Sequence, residues 1–159
     1  VETRVILTKT VQNERKRSTG KRASVNLRTL AAVTSHVKSR LEHLPSHDRA
    51  LLEQVLVRGV ALHEVAALTG EDVRRLRRRI KNAIARTYDP GFDAVTSLSR
   101  EWAPDMASVG AAVFLHGRSA TAAAAEAGIP QGRALSHVRT IRALGEAIKA
   151  ERRRRGEAA

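Results

Sequence analysis

The 159-residue chain has no cysteine, which excludes disulfides and cysteine-based metal sites. Aromatic residues are scarce: Tyr88, Phe92, Trp102 and Phe114 are all it has. A core must therefore be built from Leu, Val, Ile and Ala, which suits small helices better than sheets. The same scarcity argues against an RNA or single-strand binder, which needs rings to stack bases. No apolar run approaches the ~18 residues of a bilayer span. The opening VETRVILTKT has too short an apolar core for a signal peptide, so a cytoplasmic protein is expected. There is no phosphate-binding glycine loop, no Gly-x-Ser-x-Gly elbow and no nucleophile beside a base. The six histidines are scattered, and His43 and His47 have Pro45 between them. No enzyme, cofactor or metal site is expected.

Acidic residues are also in short supply, 16 against 29 Lys and Arg, and the net charge is +13. Such a basic domain calls for a polyanion, and nucleic acid is the first candidate. The charge is clustered. Residues 9–28, 72–86 and 139–155 each hold seven Lys or Arg, 21 of the 29 in all. Hydrophobic residues make up 42%, enough for a packed core of one ordinary domain or two very small ones.

In chain order, residues 1–25 read as a flexible basic arm of the kind that lies along phosphates or enters a minor groove. Asn26 is a cap, and Leu27, Leu30, Val33, Val37, Leu41 and Leu44 form one apolar stripe on a leading amphipathic helix of about 17 residues. Pro45 ends it. Ser46 or Asp48 supplies polar groups to the next helix, whose apolar face is Leu51, Leu52, Val55 and Leu56, and Gly59 stops it. Leu62, Val65, Ala66 and Leu68 define a short helix, and Gly70 allows a tight turn. Asp72 caps a third helix with Val73, Leu76, Ile80, Ala83 and Ile84 on its buried side. Arg74, Arg75, Arg77, Arg78 and Lys81 fall on its outer side. A small residue where two helices cross, a glycine four residues later and a basic outer face follow the logic of a helix-turn-helix aimed at a major groove.

The stretch from Val37 to Arg86 resembles region 4 of sigma-70-type transcription initiation factors. The likeness rests on Leu44-Pro45 followed by Arg49, then LLEQVLVRG, then HEVAALTG, then a basic helix with Leu76 and Ile80. It implies that the third helix contacts promoter DNA through Arg74, Arg75, Arg77, Arg78 and Lys81, and that the module docks on RNA polymerase. The turn departs from the family pattern, reading Gly70-Glu71-Asp72 where an apolar residue usually follows the glycine. Nothing else in the chain resembles the aromatic promoter-melting region, so a complete sigma factor is not expected.

Tyr88-Asp89-Pro90-Gly91 reads as a turn and a domain boundary. Beyond it the pattern returns 58 residues on. Leu44 aligns with Trp102, Val55 with Val113, Gly59 with Gly117, Ala66 with Ala124, Gly70 with Gly128 and Ile80 with Val138. Helices are expected at 105–116, 119–127 and 131–153, with Ser119 as a cap. The second recognition helix offers Gln131, Arg133, Ser136, His137 and Arg139 to DNA. Arg152 to Arg155 reads as a frayed end that adds phosphate affinity.

The expected architecture is all-α: a basic arm (1–25), an amphipathic helix with a helix-turn-helix (26–88), and a second helix-turn-helix-like domain (93–155). The expected function is a bacterial or phage double-stranded-DNA-binding transcription regulator, nucleoid-associated and able to engage RNA polymerase as a sigma-like activator. The alternative is a DNA-recognition subunit of a phage packaging machine, similar to a small terminase. The leading stripe or the second half can support a homodimer.

Overall fold

The computed structural model describes residues 31–156, all helix and turn with no strand among them. The basic arm and the start of the leading helix at Asn26–Leu30 lie outside the described residues. The chain divides into two compact units, one up to Lys81 and one from Asn82. That division falls inside a helix, Val73–Tyr88.

In the first unit, α1 is helical over 31–38. The expected continuous helix to Leu44 is broken. The helix gives way to a turn at 39–40, and a 3-10 turn follows over Leu41–His43. Pro45 accounts for the end of the 3-10 turn, holding Leu44 in an extended conformation with ψ 152°. Val37, Leu41 and Leu44 nevertheless stay buried. Helix α2 (Ser46–Leu52) runs into a π turn over Glu53–Val57 and buries Leu51, Leu52 and Val55. Helix α3 (Leu62–Thr69) buries Leu62, Val65 and Ala66. Leu68, assigned to that apolar set, is 86% exposed, because the 3.6-residue period carries it off the face that Leu62, Val65 and Ala66 share. Gly70 closes α3 at φ +69°, donating its N–H to the Ala66 carbonyl at 2.9 Å. Helix α4 (Val73–Tyr88) follows, with Leu76, Ile80 and Ala83 buried.

The second unit opens on an unexpected helix, α5 (Pro90–Leu98). Asp89 caps it by accepting from the Gly91 N–H at 2.9 Å, and Pro90 supplies the first turn. The turn signal at 88–91 is thus a helix start, and Phe92, Ala94 and Val95 are fully buried. Next come a 3-10 turn (Ser99–Glu101), α6 (Pro104–Gly110) with a π turn over Ala111–Leu115, α7 (Ala120–Ala127) and α8 (Gln131–Arg154). Ser119 caps α7 by accepting from the Ala122 N–H at 3.1 Å. The end expected to fray stays helical through Arg154. The core joins Ala94 and Val95 of α5 to Val109, Ala112, Phe114, Ala123, Ala124, Ala134, Val138 and Ile141. Helices α5 and α8 form its most extensive pair. Their approach requires a glycine at Gly145, where a Cβ would overlap the Pro90 carbonyl.

The two units repeat each other element by element at the offset of 58. The 3-10 turns (41–43 and 99–101), the helices (46–52 and 104–110), the π turns (53–57 and 111–115), the next helices (62–69 and 120–127) and the starts of the last (73 and 131) all keep it. Each π turn closes alike, Arg58 N–H donating to Glu53 O at 2.9 Å and His116 N–H to Ala111 O at 3.0 Å. Positive-φ glycines follow at Gly59 and Gly117, then at Gly70 and Gly128.

Candidate nucleic-acid interface

Helix α4 begins with its acids already in use. Asp72 Oδ1 accepts from the backbone N–H groups of Arg74 at 2.8 Å and Arg75 at 3.1 Å. This satisfies two of the four orphan donors of the helix start. Glu71 Oε1 accepts from Arg79 Nη1 at 2.5 Å. Arg79 Nη2 also lies 3.6 Å from Oδ1 of Asp48, whose side chain is only 8% exposed, with His47 Nε2 3.2 Å from that same oxygen. The two acids after Gly70, unfavourable beside a polyanion, therefore organise the turn. Arg79 ties the start of α4 to α2.

The other cations of the block point elsewhere. Arg74, Arg75, Arg77, Arg78 and Lys81 are all exposed, and no ion pair with a described residue holds them. At about 100° per residue, Arg74, Arg78 and Lys81 form one stripe opposite Leu76 and Ala83, flanked by Arg77 and Arg75. Burial of Leu76 and Ile80 fixes which way the helix is turned, and so presents that stripe to solvent. These five residues lie together, as their spacing implies.

The second unit treats the equivalent helix differently. Of its five candidates, three are bound within the unit. Gln131 Nε2 donates to Thr121 Oγ1 at 3.0 Å, Arg133 Nη2 is 2.7 Å from Asp105 Oδ2, and His137 Nε2 is 3.3 Å from the same oxygen. Burial works to raise the pKa of Asp105. The Met106 N–H, the His137 hydrogen bond and the charges of Arg133 and His137 outweigh it, and the carboxyl is held below its usual 3.8. Ser136 and Arg139 are exposed and carry no ion pair among the described residues. At the positions of Arg74, Arg77 and Arg78 stand Gly132, Leu135 and Ser136. The second face has lost most of its free charge. In the terminal run, Arg154 and Arg155 pair with Glu151, and Arg152 lies 3.7 Å from Asp93.

The sequence does not single out Arg79 from its neighbours, since its partners come from a turn and from a helix 31 positions earlier. Helical phase is the only available signal, placing it off the stripe. Among the described residues there is no group of three His, Cys, Asp or Glu able to hold a metal, and no helix long and apolar enough to cross a membrane. No protein-family profile matches the chain, and neither a curated protein nor a solved structure matches it.

Proposed function

We propose that the chain is a double-stranded-DNA-binding transcription regulator, and that its first unit reads DNA by laying α4 in the major groove. The observation that carries this reading is the stripe of Arg74, Arg78 and Lys81, with Arg75 and Arg77 beside it, exposed and without acidic partners among the described residues. The short α3, the left-handed Gly70 and the capped start of α4 support a helix-turn-helix. Phosphates are neutralised by these cations, and guanidinium forks on the stripe can pair with guanine edges. Likeness to sigma region 4 extends the reading to a contact with RNA polymerase. Grip belongs to the first unit; the second contributes Ser136 and Arg139.

A salt-titrated mobility-shift assay tests it. Changing Arg77 and Arg78 together to Ala weakens binding by several kcal/mol and lowers the slope of log K against log salt by about two, since each phosphate contact contributes about 0.9. Unchanged affinity and slope reject the assignment. Co-purification with RNA polymerase, lost on deleting residues 44–86, tests the sigma-like part.

A further inference from the structure

A cleft of about 300 Å³ opens in the second unit, lined by Asn82, Arg86 and Asp89 at the end of α4, by Phe114 and Arg118 after α6, and by Arg142 of α8, among others. Three guanidinium groups share this wall with one carboxylate. The Arg142 guanidinium lies 5.5 Å from the Phe114 ring centroid and uses Nε and Nη2 on Asp89 at 3.3 and 3.1 Å. Asp89 is itself committed, because its Oδ1 accepts from Gly91. Arg118 reaches a carboxylate only through Nε, 3.5 Å from Glu126, with both side chains half or more exposed. A contact that long and open to water contributes little. The Arg86 guanidinium is pressed onto the loop at Gly117, where a Cβ would overlap its Nη1.

The internal repeat indicates that this charge is no requirement of the fold. At the positions 58 residues earlier, Val60 and Ile84 stand where the second unit has Arg118 and Arg142. The lining sets three guanidinium groups against one carboxylate, a net positive charge that favours an anion. A planar guanidinium offers paired N–H groups that match the oxygens of a phosphoryl group.

We infer that the cleft between Arg86, Arg118 and Arg142 is a phosphoryl-binding site. Its ligand is a phosphate mono- or diester, supplied either by the DNA backbone or by a free phosphorylated small molecule. Arg118 and the Nη1 side of Arg142 meet the oxygens, Asn82 adds a neutral donor, and Asp89 holds Arg142 in place. The inference does not rest on the DNA reading, whose main cations, Arg74 to Lys81, lie in the other unit and whose Arg139 does not line the cleft.

The experiment titrates the full chain with inorganic phosphate at constant ionic strength, set by chloride, and follows the arginine Nε–H resonances by NMR. Expected is a saturable shift of Arg118 and Arg142 in the millimolar range. Arg118→Gln weakens it roughly tenfold, as loss of a charge-assisted hydrogen bond requires, while Arg100→Gln, exposed in the same unit and outside the cleft, leaves it intact. A mobility-shift assay then separates the sources. If Arg118→Gln also lowers the DNA salt slope by about one, the phosphate is the backbone's; if DNA binding is unchanged, the ligand is free. Arg118 is 61% exposed, and thermal melting verifies that the variant folds. No saturable phosphate shift, or equal loss in Arg100→Gln, overturns the inference.

Discussion

Gly145→Ala and Gly132→Ala make the same change in the same helix, α8, and should act in opposite directions. In a helix interior, replacing Gly by Ala gains about 1 kcal/mol of backbone propensity. At Gly132 nothing lies within 4 Å of the new Cβ, so only that gain applies, reduced because the position is in the first turn. Stability should rise by roughly 0.5 kcal/mol. At Gly145 the Cβ would overlap the Pro90 carbonyl and carbonyl carbon, which are backbone atoms. Relief requires moving the start of α5, where Asp89 caps the helix and Arg142 pairs with Asp89. Overpacking of this kind costs about 1–3 kcal/mol, more when backbone must shift, and it exceeds the propensity gain. The net loss should be about 1–2 kcal/mol, a fall in Tm of roughly 5–10 °C for a unit of this size. Trp102 is the chain's single tryptophan and packs against the core of the second unit, so its fluorescence during urea or thermal unfolding reports that unit. Gly145→Ala melting at or above the wild-type temperature would refute the close-approach argument. A destabilised Gly132→Ala would show that propensity is the wrong reference.

Three further outcomes follow from the same geometry. Arg79→Ala leaves the buried Asp48 and Glu71 without their guanidinium and should destabilise the first unit by about 2 kcal/mol, whereas exposed Arg77→Ala stays within about 0.5 kcal/mol; hydrogen exchange of the α2 and α3 amides compares them. Gly70→Ala places a side chain at φ +69° with open space around it, so backbone strain alone should cost about 1 kcal/mol, and Gly128→Ala at φ +65° should match it in calorimetry. The folded pKa of Asp105 lies below 3.8, so its contribution to the second unit is present above that value and is lost as pH falls through the folded value. Asp105→Asn should therefore lose stability near neutral pH and show a weaker acid dependence of Trp102 unfolding below about pH 4. An unchanged acid limb would remove Asp105 from that account.

Much of this protein was legible along the chain, because its punctuation is local. Glycines that must adopt positive φ, a proline that forbids helix before it, and small polar caps act within a few residues of themselves. Gly59, Gly70, Pro45, Asp72 and Ser119 accordingly mark real boundaries, and the 58-residue repeat brought out their second copies. Helical phase likewise separated Leu76 and Ile80 from the arginine stripe without any tertiary information. The same local reading misjudged 88–91, because a turn signal and a helix start use the same residues. Only the packing of Ala94 and Val95 in one core with Val138 and Ile141 of α8 makes that segment a helix of the core.

What the fold alone decided concerns partners brought from far along the chain. Arg79 becomes a strut because Asp48 arrives from α2; Arg133 and His137 are engaged because Asp105 arrives from α6. By contrast Arg74, Arg77 and Arg78 keep an open face. Residue type and spacing are the same kind of information for all of these cations. Which are spent on the structure and which are left for a ligand depends on distances between helices, and no local pattern encodes those. The cleft at Arg118 and Arg142 is the extreme case, since its cations come from three separate segments and meet only when the second unit is packed.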